Sequence, residues 1–365
     1  MKRDVGIDVV KAVALLCVIS VHCFSHIGYY QQPMCGKGML FLTIVRNFFM
    51  ICVPLFLMAT GYLMNRKKFE KKYYKGIAKI LYIYVIVSII CIIYKVVIEG
   101  YTTTWHMILS IFSFSAAGYS WYVEMYIGLF LIIPFLNLIY NNLKSQKQKR
   151  GLLFVMLFMT ALPDVMNAYN FEQLSFWKHP AGVEINVIFP QYWTCVYPIT
   201  YYFIGAYICE YKPKMNRNLN IVLIILSIFF IGLFCYWYSF ESTFVWGGFQ
   251  SYSSLFVVIL SYLCFVFFMS IDYSKCGECF KKVLAVVSSS TLGAYLISEI
   301  FDIIIYSRLN ESVAVLKYKA VFGLIIVPVI FTLSVIISIM INKSYSLIKS
   351  IGDKKLLKEK NNIYG

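Results

Sequence analysis

Stretches of about twenty apolar residues recur along this chain with little sequence between them. A helix rises about 1.5 Å per residue and the hydrocarbon core of a bilayer is about 30 Å thick, so each stretch is long enough to cross a membrane. They fall at about 5–27, 40–64, 77–98, 121–142, 151–168, 193–210, 219–239, 252–272, 283–306 and 320–342. The expected fold is an all-α polytopic membrane protein of about ten transmembrane helices, with a membrane domain over 1–345 and a charged tail over 346–365. The stretch 107–118 is apolar but short, and reads as re-entrant or interfacial.

Loop charge sets the expected orientation. Of the 33 lysines and arginines, five lie in one set of loops (Lys37, Lys178, Arg308, Lys317, Lys319), two lie within spans (Arg46, Lys95), and the other 26 lie at the alternate ends. By the positive-inside rule both termini are cytoplasmic, and the net charge of +16 reports topology rather than nucleic-acid binding. An eleventh span at 107–118 would turn the later basic loops outward. Lys2 and Arg3 precede the first apolar run with no small-residue cleavage site after it, the pattern of a retained signal anchor. At 60% hydrophobic content, almost no length remains for a soluble domain. The eleven cysteines lie mostly within spans and are no disulfide framework. Cys276 and Cys279 form a lone CxxC without further ligands, so no metal is expected.

Ionisable residues inside a membrane are costly and usually functional. In KAVALLCVISVH, Lys11 and His22 are eleven residues apart, which places them on one helix face about 16 Å apart along the axis. Depth counting puts His22 roughly 24 Å from the inner face. Glu299, Asp302, Arg46 and Glu124 come from other spans but share this outer half, as expected around a water-accessible cavity open to the outside. Each has a plainer reading. Arg46 and Lys95 can snorkel to the headgroups, Arg46 can pair with Glu299 or Asp302, and Glu124 can sit in the interface. His22 can serve as an interhelical hydrogen-bonding group, and His26 reads as interfacial. All six tryptophans fall at or beyond the outer interface, as an aromatic belt or as rings for stacking on a sugar.

Five segments, in order, resemble the acyltransferase-3 family, the ten-span membrane acyltransferases that often O-acetylate bacterial surface glycans. IDVVKAVALLCVISVH (7–22) is similar to the family's Arg-x10-His motif, with Lys11 in place of the arginine. VPLFLMATGYLM (53–64), SWYVEMYIGLFLIIPFLN (120–137), YFIGAYI (202–208) and TLGAYLIS (291–298) match later segments. The family's cytoplasmic Arg-x-x-Arg pair appears loosely as Lys75 and Lys79, and Ser298 stands where many relatives have histidine.

The resemblance implies a membrane acyltransferase domain over 1–345, in a bacterial plasma membrane, with acetyl-CoA or a related acyl-CoA as donor. The acceptor would be a cell-surface glycan or lipid-linked saccharide. CoA phosphates would rest near Lys11, Lys75 and Lys79, with lysine acting as a point charge rather than a bidentate fork. A pantetheine arm on the order of 15–20 Å would reach His22, matching the ~16 Å helical separation. His22 would be the general base, Glu299 or Asp302 its orienting carboxylate, and Arg46 the oxyanion stabiliser. Asp8 lies too deep to orient His22 and is expected to pair with Lys11. Trp121, Tyr122, Glu124 and Asp302 would face the acceptor. Two other readings of the buried charges are a flippase for a lipid-linked glycan and a non-catalytic membrane sensor.

Overall fold

A computed structural model describes residues 3–102 and 105–364, with side chains as far as Asp353. Its regular elements are helices: α1 (Val5–His26), α2 (Gly36–Phe49), α3 (Cys52–Met64), α4 (Lys71–Tyr74), α5 (Ile77–Val97), α6 (Trp105–Phe112), α7 (Trp121–Asn142), α8 (Gln146–Thr160), α9 (Leu162–Met166), α10 (Tyr197–Tyr211), α11 (Arg217–Tyr238), α12 (Leu255–Ser270), α13 (Glu278–Ser312) and α14 (Leu316–Tyr364). Short 3-10 turns join some of them. Among the described residues the only strand-like pairing is an isolated bridge between Met34 and Phe240.

Among the described residues, eight helical segments are long and apolar enough to cross a bilayer. The segments expected to cross at 151–168 and 193–210 form shorter helices. α8 ends at Thr160, where Ala161 departs from helical geometry and Pro163 begins α9. α10 holds 15 residues, or about 22 Å of rise, and starts at Tyr197–Pro198. α6 has eight residues, none of them buried, and is too short to span. The expected boundary at 345 falls inside α14, which continues unbroken to Tyr364.

Proline explains two irregularities. The span 36–64 breaks at Met50–Ile51, between α2 and α3. Pro54 lies four residues after Met50, so it offers no N–H to that carbonyl and its ring crowds the turn. In α7, Pro134 likewise frees the Phe130 carbonyl. The Tyr73 hydroxyl donates to that carbonyl at 2.6 Å, so the proline leaves no unsatisfied acceptor.

α1 lies at the centre, packed against α13, α3, α14 and α12. Its apolar window is 67% buried, against 22% for α11, which identifies α11 as peripheral and α1 as core. Glycine sets the closest crossings. A Cβ on Gly61 would lie 1.9 Å from the Tyr202 carbonyl oxygen, and one on Gly205 would lie 2.0 Å from that of Met58, so α3 and α10 touch backbone to backbone. Asn137 ties this pair to α7: it donates to the carbonyls of Met64 and Lys67 at 2.8 Å, and accepts from the Tyr202 hydroxyl at 2.6 Å.

Candidate functional site

Lys11, Val18 and His22 form a stripe on α1, spaced seven and then four residues apart. The lower part of the stripe borders a cavity of about 200 Å³. Lys11 and Val18 line it, with Phe56, Thr60 and Leu63 from α3, Ile80 from α5, Tyr122 and Tyr126 from α7, and Leu292 and Tyr295 from α13. Lys11 donates to the Ser288 carbonyl at 2.5 Å. Asp8, Arg3 and Lys79 all act electrostatically on its ammonium, so three cations and one carboxylate gather at this end of the cavity. Asp8 does not take Lys11 as its partner. It accepts two hydrogen bonds from Arg3, at 2.6 and 2.9 Å, because the fork of a guanidinium matches a carboxylate. Lys75 is exposed just after α4 and is not among the residues that line the cavity.

The upper part of the stripe is packed. The His22 side chain is 17% exposed, and its Nδ1 lies 3.8 Å from Oδ2 of the fully buried Asp302. Tyr119 covers the imidazole at 3.7 Å between ring centroids and donates its hydroxyl to Asp302 Oδ2 at 2.8 Å. His26, one turn beyond His22, has Nε2 3.0 Å from the same hydroxyl and stacks on Tyr306 at 5.5 Å. His22 Nδ1, Asp302 Oδ1 and Glu299 Oε2 are buried without a hydrogen-bond partner. Polar atoms left unpaired in an interior are costly, and His22 Nδ1 and Asp302 Oδ1 are two such atoms on side chains that face each other.

The segment 113–120 closes over this cluster. Lys95 donates to the Ala116 carbonyl at 2.9 Å, so it holds this segment rather than reaching toward the headgroups. Glu299 faces the backbone of Gly118 and Tyr119, and a Cβ on Gly118 would lie 2.9 Å from Glu299 Oε1. Glycine at 118 therefore lets the segment reach the carboxylate. Ser298 is buried, with its hydroxyl turned back to the Tyr295 carbonyl at 2.8 Å.

The other expected site residues are distributed differently. Arg46 is fully buried but belongs to a separate cage. It donates to Tyr30, Asn47 and Gln250, and its guanidinium lies 4.8–5.6 Å from the rings of Phe244, Trp246 and Tyr30. Its hydrogen bonds run from Nε and Nη1 to a hydroxyl and two side-chain amides, Nη2 is buried without a hydrogen-bond partner, and neither Glu299 nor Asp302 is among its partners. Trp121 is 40% exposed and stacks on Tyr252 at 6.0 Å. Tyr122 is buried in the cavity wall, while Glu124 is exposed on α7 and outside the His22 cluster. Cys276 and Cys279 are free thiols, and no group of three or more metal-ligating side chains occurs among the described residues. Tyr119 and Tyr295 were not among the expected site residues, and His26, expected at the interface, packs against Tyr119 and Tyr306. The spacing of His26 from His22 was the one available signal.

Comparison with models of protein families matches residues 4–343 to the acyltransferase-3 family, described as an acyltransferase domain. The chain belongs to this family. No curated protein and no solved structure matches it. As a multi-pass membrane acyltransferase-3 protein, it places the histidine of its first motif against a carboxylate, and the lysine of that motif beside a cavity.

Proposed function

We propose that this acyltransferase-3 protein transfers an acyl group, acetyl foremost, from cytoplasmic acyl-CoA to a hydroxyl of a cell-surface polysaccharide or glycolipid. The setting is a bacterial plasma membrane crossed ten times, with both termini cytoplasmic. One observation supports the reading: a mostly apolar cavity with Lys11 in its lining lies along the α1 face that bears His22 and ends one turn short of it, and Asp302 stands against His22 Nδ1.

In this reading, CoA phosphates meet Lys11 and Lys79, while the pantetheine arm lies along the cavity. Asp302 favours the tautomer with its proton on Nδ1, which leaves Nε2 as proton acceptor. His22 takes the proton of the acceptor hydroxyl as its oxygen attacks the thioester carbonyl. The new C–O bond forms, the C–S bond breaks, and the CoA thiolate leaves and takes the proton from His22. Trp121 offers its exposed face to the saccharide. Glu299 holds segment 113–120 in place and is a positioning residue.

The test is free-thiol release and product mass from purified protein given acetyl-CoA and a glycan acceptor. Acceptor-dependent thiol release, lost in His22→Ala, supports the reading. Wild-type turnover in a correctly inserted His22→Ala protein refutes it. Saccharide translocation without thiol release moves the chain to the flippase class.

A further inference from the structure

The cavity beside Lys11 ends before it reaches His22. Val18 is the last α1 residue in its lining, one turn and about 6 Å of rise below His22. Tyr122 and Tyr295 line the cavity and are in ring contact with each other. Tyr295 is interposed between the two regions. It lines the cavity, its ring centroid is 6.1 Å from that of His22, and it stacks on Tyr119 at 5.9 Å. Its hydroxyl donates to the Tyr119 carbonyl at 2.6 Å, and Tyr122 meets its ring edge-on at 5.9 Å. The residue is only 6% exposed. A ring pinned by one hydrogen bond and three ring contacts in a close-packed interior yields little. The walls next to it, Val18, Val53, Phe56, Ala59 and Leu292, are apolar and suit hydrocarbon.

We propose that Tyr295 determines the length of the acyl chain accepted from acyl-CoA, by closing the far end of the donor cavity and admitting short chains only. The proposal rests on reading the cavity as the donor site. An apolar slot with a fixed end discriminates against each methylene that must be forced past it.

The experiment is calorimetric titration of the full chain in lipid nanodiscs with CoA, acetyl-CoA and hexanoyl-CoA, without acceptor. Wild-type protein is expected to bind acetyl-CoA roughly tenfold or more tightly than hexanoyl-CoA. Tyr295→Phe keeps the ring and keeps that ratio. Tyr295→Ala and Tyr295→Leu, which retain binding of CoA itself, bring the ratio to about one or invert it. A merely structural role for Tyr295 would weaken both thioesters in parallel and leave the ratio intact, and that result overturns the proposal. Equal affinity of wild-type protein for the two thioesters, or no binding of either, also overturns it. Chain-length-selective binding that vanishes in Tyr295→Ala, with no acyl transfer to any acceptor, would sink the transferase reading and leave this one standing.

Discussion

The two halves of the Lys11–His22 stripe differ in kind. The lower half faces a void walled mostly by hydrocarbon, with cations at one end. The upper half faces stacked rings and two buried carboxylates, with polar atoms unpaired. An apolar void tolerates being empty, because its lining loses only dispersion contacts. Unpaired carboxylate and imidazole atoms are far more costly. In the proposed reading, the lower half receives the donor and the upper half acts on it.

The sharpest way to break that contrast is His22→Ala. It is expected to lower the transfer rate by about 10²–10⁴ with donor binding unchanged, measured by thiol release and by calorimetry with acetyl-CoA. An equal loss of donor affinity would mean the two halves do not divide the work. Asp302→Asn should follow, lowering kcat by about a hundredfold because the imidazole loses the group that sets its tautomer. Steady-state kinetics at saturating donor would check this, and an unchanged kcat removes Asp302 from the mechanism. Lys11→Ala should raise the Michaelis constant for acetyl-CoA about tenfold and leave kcat within about twofold, since it removes one charged contact to the donor. Lys11→Arg should preserve affinity. A shift confined to kcat would place Lys11 in the upper half. The smallest effect is expected from salt: raising ionic strength should increase the donor Michaelis constant about two- to threefold through screening, without moving the acceptor constant.

Much of this arrangement could be read in the chain, and the rest could not for definable reasons. Spacing along one helix fixes both height and face, so the Lys11–His22 stripe was visible before any tertiary contact was known. Asp302 and Glu299 were found by depth, which is also determined by counting residues. Arg46 shares that depth but ends in a different cage, because depth says nothing about how one helix is rotated toward another. Tyr119 lies in an irregular segment without periodicity, and nothing local reveals that it folds over His22. Tyr295 is one of 30 tyrosines, and its position becomes meaningful only when α13 is docked on α1. The break at Met50–Ile51 was legible from Pro54 but lay inside one continuous apolar run. The short helices α8 and α10 escaped notice because hydropathy records which residues are apolar, not where a helix starts and stops.

The α3–α10 crossing carries one more consequence. Two backbones that meet through Gly61 and Gly205 have no side chains to repack as they slide, so these helices move as a single plank. A side chain at either position would have to push the two helices apart, so this crossing ties the cavity wall supplied by α3 to α10.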